Sequence, residues 1–198
     1  MTLSPEPEPR IPDGAEELRV IDACIAGDWE EFRLLFEKYR ERVYALALGI
    51  VRDAALAHDI TQASFIKVFK SLRWFDRRAK FSTWLYRIAY RQALDQYRKR
   101  RRRDEVPIEH LPAGVESSTP RGQIADSIAD REAAERLRAA IDALPIKLRT
   151  AVVLRYFEGC TFDEICEITG CARGVLQKRL AQAVAALRDA LGSNGAPA

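Results

Sequence analysis

Apolar residues in this chain recur three and four positions apart. Phe32, Leu35, Phe36, Tyr39, Val43, Leu46 and Ile50 do so, and so do Leu176, Leu180, Val184, Leu187 and Leu191. That spacing puts them on one stripe of a helix. No stretch alternates apolar and polar residues long enough to make a half-buried strand, and no segment repeats. The expected fold is all-α: two small helical domains joined by a flexible acidic linker, the second containing a helix-turn-helix.

Local signals divide the chain. Residues 1–13 hold four prolines and several acids, and are expected to form a disordered tail. Ala15–Ala26 reads as a first helix ending near Gly27. Asp28, with Glu31 three residues on, opens a long helix to about Val51. Asp53 can cap a third helix, about Ala54–Leu72, with a core stripe of Phe65, Val68, Phe69 and Leu72. Ser82 or Thr83 is expected to cap a fourth. Pro107, Pro112, Gly114, Pro120 and Gly122 among acidic residues mark 104–129 as a linker. Helices are then expected over Asp130–Ala143, over Lys147–Phe157 with Leu148, Val152, Val153 and Tyr156 as its apolar set, over a short segment capped by Thr161 and Glu164, and over about Arg173–Leu191. The domains are thus 14–103 and 130–192, and 193–198 is a tail.

The net charge of +3 conceals a segregated field. Residues 73–103 contain twelve Lys or Arg against two acidic residues, and six of the twelve are consecutive, Arg98 to Arg103. This is the footprint of a polyanion-binding surface. Aromatics share the segment. Trp74 and Phe75 lie in its loop, and Tyr86 and Tyr90 on its helix. Aromatic faces beside cations can stack on unpaired bases, for about 1–3 kcal/mol per base. Phe81 and Trp84 fit the core better. Arg77, Arg78 and Lys80 suit a strand backbone, and Arg87, Arg91 and Arg98 extend the basic face.

The last two helices, with Thr169-Gly170-Cys171 between them, follow the helix-turn-helix pattern, in which the second helix enters the major groove. With Leu180 facing the core, Val175, Lys178, Arg179 and Gln182 point outward. Lys178 and Arg179 can reach phosphates, Arg179 and Gln182 base edges, and Arg173 the backbone. On the third helix, Asp59, Gln62, Ala63 and Ile66 form a second stripe, read either as plain solvent-exposed surface or as a docking face for a protein partner.

No Gly-rich phosphate loop, metal-spaced His/Cys set or framed nucleophile–base pair is present, so an enzyme is the weakest reading and no cofactor is expected. Cys160, Cys166 and Cys171 fall close together; buried thiols are favoured over a redox or metal role. No run of about 18 apolar residues offers a membrane span, and Met1–Arg10 lacks the apolar region of a secretory signal. The cytoplasm is the expected compartment.

These residues carry a resemblance to a known family. Tyr39-Arg-Glu-Arg-Val-Tyr44, Asp59-Ile-Thr-Gln62, Phe75-Asp76 and Lys80-Phe-Ser-Thr-Trp-Leu-Tyr-Arg-Ile-Ala89 resemble the first domain of bacterial sigma factors of the extracytoplasmic-function group. Leu144-Pro145, Leu154-Arg-Tyr-Phe-Glu-Gly159, Asp163-Glu-Ile165 and Gly170 through Leu180 resemble the second. The resemblance implies an alternative sigma factor, a binding protein that does no chemistry. It implies that Asp59, Gln62, Ala63 and Ile66 dock on the β′ clamp of core RNA polymerase, with the β flap as a further contact. It also implies a minus-10 single strand held by Trp74, Phe75, Arg77, Arg78, Lys80, Ser82, Tyr86, Arg87, Tyr90, Arg91 and Arg98, and a minus-35 duplex read by Arg173, Val175, Lys178, Arg179 and Gln182. An anti-sigma partner, often membrane-bound, is common in such proteins. The chain departs from the pattern at His58 and Ala63, where acids are frequent, at Arg91, where Asn is common, and at Val175 and Gln177, in place of Thr and a basic residue. The first two imply weaker polymerase docking. The others imply altered promoter preference. Two other readings remain beside it: a different two-domain regulator, and a sigma mimic that sequesters a regulator.

Overall fold

The computed structural model describes residues 14–104 and 128–192. The expected tails and most of the linker lie outside these residues. Every regular element among the described residues is helical. In order they are α1 (Gly14–Ala26), α2 (Trp29–Val51), α3 (Ala54–Ser71), a 3-10 turn (Leu72–Trp74), α4 (Phe81–Asp104), α5 (Ile128–Ala143), α6 (Ile146–Val152) running into a π turn (Val153–Phe157), α7 (Phe162–Thr169) and α8 (Arg173–Gly192).

The helix ends follow side-chain chemistry. Asp28 accepts from the Glu30 N–H at 3.2 Å and opens α2. Arg52 takes the left-handed conformation (φ 55°) that closes α2, its N–H bonding Leu48 O at 2.9 Å. Asp53 then accepts from Leu56 N–H at 3.0 Å and starts α3. Thr161 and Glu164 exchange both bonds of a capping box at the start of α7. The expected cap at Ser82 or Thr83 does not form. Asp76 accepts from Arg78 N–H and folds the loop back early, so α4 begins at Phe81, with Trp84 N–H bonding Lys80 O at 3.2 Å. Thr83 is buried within the first turn.

Four expected core positions face outward instead, among them Leu191 at the end of α8, which is 41% exposed. Phe69 is 37% exposed and lies edge-on against Phe32 at 5.1 Å, because the stripe at Phe65, Val68 and Leu72 has already turned past it. Tyr156 is 62% exposed. The π turn, closed by Glu158 N–H to Val153 O at 3.0 Å, adds a residue and rotates Tyr156 off the core stripe of α6. In α8, Ala183 is buried rather than Val184. At about 100° per residue Ala183 falls within about 20° of Leu176, whereas Val184 lies about 80° away.

The first four helices enclose an aromatic core in which Phe81 packs against Phe75 (5.7 Å) and Tyr39 (5.6 Å). The second unit does not stand apart. Ala151, Leu154, Cys160, Ile165, Ile168, Leu176 and Leu180 join the same buried cluster as Val43, Leu85 and Ala89. A smaller cluster, Ile141, Leu144, Val152 and Ala183, ties α5, α6 and α8 together. The helix-turn-helix unit is therefore seated on α2 and α4.

Candidate polymerase and nucleic-acid interface

α3 separates two faces cleanly. Ala57, Ile60, Thr61, Ser64, Phe65 and Val68 are buried. Thr61 and Ser64 satisfy their hydroxyls on the carbonyls of Ala57 and Ile60, at 2.8 and 2.7 Å. Asp59, Gln62, Ala63 and Ile66 all lie on the exposed side. With Ile66 55% exposed between polar neighbours, the stripe has the makings of a small protein-docking face.

The basic loop places its aromatics unequally. Trp74 stands 65% exposed, with the Arg73 guanidinium 3.9 Å from its ring centre. Phe75 instead turns inward against Phe81 and Trp84, and is unavailable to a strand. Apolar packing wins because Phe75 has no polar edge to keep it in water. Arg77 pairs with Asp22 of α1, and Arg78 is 92% exposed beside Asp76.

The first turns of α4 meet the second unit. Lys80 pairs with Glu164 at 2.9 Å, Tyr86 donates to Glu158 at 2.5 Å, and Arg87 pairs with Glu167 at 3.2 Å. Tyr86 is buried, so its expected contact with a strand is not open in this structure. A phenol that finds a buried carboxylate keeps a strong bond where water cannot compete. Ser82 and Tyr90 are half-buried, while Arg91 and Arg98 are exposed.

The carboxylates in this seam are tuned differently. Burial raises Glu158 above the ordinary carboxylate range, only partly offset by the Tyr86 hydroxyl and the Arg42 charge. Burial also acts on Glu164, but hydrogen bonds from Lys80 and Thr161 outweigh it and hold that carboxyl low. The hydrogen bond and charge of Glu164 in turn raise Lys80. Cys160, behind them, is pushed up to about 12 by burial and by Glu164 and Glu158, and so stays a thiol.

On α8, Val175, Lys178 and Gln182 are exposed. Arg173 is on the surface and pairs with Asp163 at 2.7 Å. Arg179 is half-buried, its charge felt by Tyr90. The turn before α8 is set by Gly170 (φ 70°), whose N–H bonds Cys166 O at 2.8 Å. Among the described residues no group of His, Cys, Asp or Glu is placed to hold a metal ion.

Sequence reasoning overlooked two residues that matter here. In the sequence Glu158 stands out only as one residue of the Leu154–Gly159 motif. Arg149, buried in α6, donates to the carbonyls of Gly49, in the last turn of α2, and Asp142. A cation at a helix C-terminus is favourable, and here it joins the two units. A signal existed: Arg149 sits next to Leu148 on the side of α6 that carries Val152 and Val153.

Residues 35–103 match the family description Sigma-70 region 2, and residues 134–187 match Sigma-70, region 4. The ECF RNA polymerase sigma factor SigW of Bacillus subtilis (strain 168) is 31% identical over 172 residues, covering 83% of this chain and 91% of the relative. The RNA polymerase sigma-H factor of Pseudomonas aeruginosa is 33% identical over 187 residues, covering 89% and 94%. Among solved structures, the sigma factor RpoE from Bartonella quintana, in complex with the anti-sigma factor NepR, superposes with a TM-score of 0.66 at 21% identity, over 83% of this chain and 99% of that one. CnrH, in complex with the cytosolic domain of CnrY, gives 0.61 at 20% identity, over 89% and 97%.

Proposed function

The chain belongs to the ECF RNA polymerase sigma factors, alternative sigma factors that direct promoter-specific transcription, and we propose which of its faces performs each part of that task. Residues 14–103 are the unit that binds core polymerase and the minus-10 element, 104–129 are the linker, and 130–192 are the minus-35 unit. The exposed stripe Asp59, Gln62, Ala63 and Ile66 docks on the β′ clamp. Docking fixes the basic face beside the DNA, and the face then traps unpaired minus-10 bases. The reader helix holds duplex at the same time, through Arg173, Val175, Lys178, Arg179 and Gln182, with the β flap as a further contact. The protein contributes binding energy that is larger for opened than for closed DNA, and core polymerase does the chemistry. Its place of work is the cytoplasm.

The observation that carries the minus-10 assignment is Trp74. A large aromatic residue left 65% exposed, with an arginine stacked on it, offers a face on which an unpaired base can stack. Arg77, Arg78 and Lys80 follow it in the same loop, and Arg91 and Arg98 lie further along α4, as cations for the strand backbone. Tyr86 and Phe75 support the surface from beneath. RpoE is bound there to an anti-sigma factor and CnrH to the cytosolic domain of CnrY, and a partner of the anti-sigma class is proposed for this chain as well.

Run-off transcription with bacterial core polymerase, on promoters selected with the holoenzyme, tests the reading. The wild-type chain gives promoter-specific transcripts, and Trp74→Ala loses most of them while still binding core. A chain that never confers specific initiation on core refutes the assignment.

A further inference from the structure

The turn between α7 and α8 brings two of the four cysteines together. α7 ends at Thr169, and Gly170, in the left-handed conformation, turns its N–H back to Cys166 O at 2.8 Å. Where a helix ends in this way, the residue that supplies the carbonyl and the residue after the glycine commonly come into side-chain contact. Here both are cysteines, Cys166 and Cys171. The two thiols do meet: burial raises the Cys166 thiol above its ordinary value, and the charge and hydrogen bond of Cys171 come next among the causes. Thr169 Oγ1 lies 3.1 Å from Cys171 Sγ and 2.7 Å from Ile165 O, so its one proton can serve the carbonyl or turn to the sulfur.

The other two thiols are placed differently. Cys24 and Cys160 are buried, and burial first, then neighbouring carboxylates, pushes them up to about 11 and about 12. Both stay protonated and inert. Cys166 and Cys171 are only half-buried. An accessible thiol with a second thiol beside it is the arrangement that peroxide oxidises to a disulfide.

We propose that Cys166 and Cys171 are an oxidisable pair, closed to a disulfide by a hydroperoxide, and that closure loosens the minus-35 grip of α8. The second half rests on the reading of α8 as the duplex helix. Cys171, with the Thr169 hydroxyl to stabilise its thiolate, attacks the peroxide. An S–O bond forms, the O–O bond breaks, and the leaving oxygen takes up the proton that the thiol gave and departs as water or an alcohol. Cys166 then attacks the oxidised sulfur. The S–S bond forms, the S–O bond breaks, and hydroxide leaves with the Cys166 proton as water. The two thiols lose two electrons, and the peroxide gains them.

The disulfide draws the sulfurs to about 2 Å, well inside any hydrogen-bonded contact. α7 is fixed by Ile165 and Ile168, and α8 by Leu176, all buried. The displacement therefore falls on residues 170–175, which carry Arg173 and Val175 of the reader face.

The test begins with the reduced full-length chain, treated with hydrogen peroxide, desalted and alkylated with N-ethylmaleimide under denaturing conditions. Residues 156–173 form one tryptic peptide that holds Cys160, Cys166 and Cys171. Expected is a loss of two hydrogens and a single maleimide, on Cys160. A peptide that takes up three maleimides, or whose disulfide includes Cys160, overturns the pair. The same oxidised chain, left unalkylated, is assembled with core polymerase and read by anisotropy on a fluorescein-labelled duplex, its minus-35 element selected with the reduced holoenzyme. Expected is binding about fivefold weaker than for the reduced chain, from loss of the Arg173 backbone contact, with dithiothreitol restoring it. Cys166→Ser should bind as the reduced wild type does and ignore peroxide. A disulfide that leaves duplex affinity unchanged overturns the coupling to α8, and so does a peroxide-dependent loss that Cys166→Ser also shows. If the reduced holoenzyme takes up no duplex, the reading of α8 itself fails and the coupling falls with it, while the mass of the peptide still decides the pair.

Discussion

The first turns of α4 and the outer face of α8 are both assigned to DNA, yet the fold treats them in opposite ways. On α8, Val175, Lys178 and Gln182 face solvent. On α4, Tyr86 is buried, and Lys80 and Arg87 already hold carboxylates. The difference follows from what each face must bind. A duplex reader can stay exposed, because its polar face costs nothing in water. A single-strand pocket needs aromatic walls, and exposed aromatic walls are an invitation to cover. The chain covers Tyr86 with its own second unit, turns Phe75 into the core of the first, and leaves Trp74 outside.

The strongest way to break this asymmetry is to remove the tie at Arg149. Its guanidinium is buried and is bonded to the Gly49 and Asp142 carbonyls without a carboxylate partner in those contacts. Burial is also what lowers its proton affinity, ahead of the nearby Arg52 charge. Arg149→Ala takes the donor from two half-buried carbonyls, and about 2 kcal/mol of stability is expected to be lost. The units should also part, so that α4 becomes as open as α8. Urea unfolding measures the first effect, and small-angle X-ray scattering the second, as a larger radius of gyration. An unchanged radius would mean that the shared apolar cluster alone holds the seam.

The next test sharpens the comparison without opening anything. Trp74→Ala should weaken single-strand binding by holoenzyme by about 1–3 kcal/mol and leave duplex binding unaffected. Lys178→Gln should do the reverse, weakening duplex binding and reducing its salt slope by about one. If Trp74→Ala weakens both equally, the division of labour between α4 and α8 is wrong.

How much of this was legible follows from what each signal measures. Caps and turns are local, so Asp28, Asp53 and the Thr161–Glu164 box declared themselves. Stripe periodicity placed most of the core. It failed at Tyr156, where a π turn changed the period, and at Val184, where a spacing of four was followed once too often. Among the candidate site residues, Phe75 and Tyr86 were read as available because composition cannot distinguish an aromatic that walls a pocket from one that fills a core. The contact between the units was invisible for another reason. Glu158 and Tyr86 are 72 positions apart, and nothing in either neighbourhood names the other.

A smaller effect concerns the C-terminal half of α4. It is held by Arg100, which donates to Asp53 at 2.9 Å while Asp53 caps α3. The Leu56 N–H bond, outweighing burial and aided by Arg100, keeps Asp53 below its ordinary value. A depressed carboxylate contributes stability above its unfolded value and loses it as pH falls through the folded one. Asp53→Ala should therefore cost about 1 kcal/mol near neutrality and progressively less as the pH drops below the ordinary carboxylate range. A constant difference across that range, followed by urea unfolding, would assign the cost to packing rather than to the charged cap.

The smallest expected effect lies in the seam itself, where two carboxylates titrate against each other. Glu164 is held low, so its bond to Lys80 is present above the ordinary carboxylate range and is lost in acid. Glu158 is raised by burial, so its packing is favoured below its unfolded value and loses that advantage as pH rises through the folded one. Between neutrality and the ordinary carboxylate range, the seam should therefore tighten slightly as Glu158 takes up a proton, and Glu164 should reverse the trend only at lower pH. Glu158→Gln keeps an acceptor for Tyr86 without a charge. It should flatten the upper part of this profile, changing stability by less than about 1 kcal/mol. A profile unaltered by the substitution would show that Glu158 keeps its charge across the range. The pH response of the cover over α4 would then rest on Glu164, whose bond to Lys80 is lost in acid.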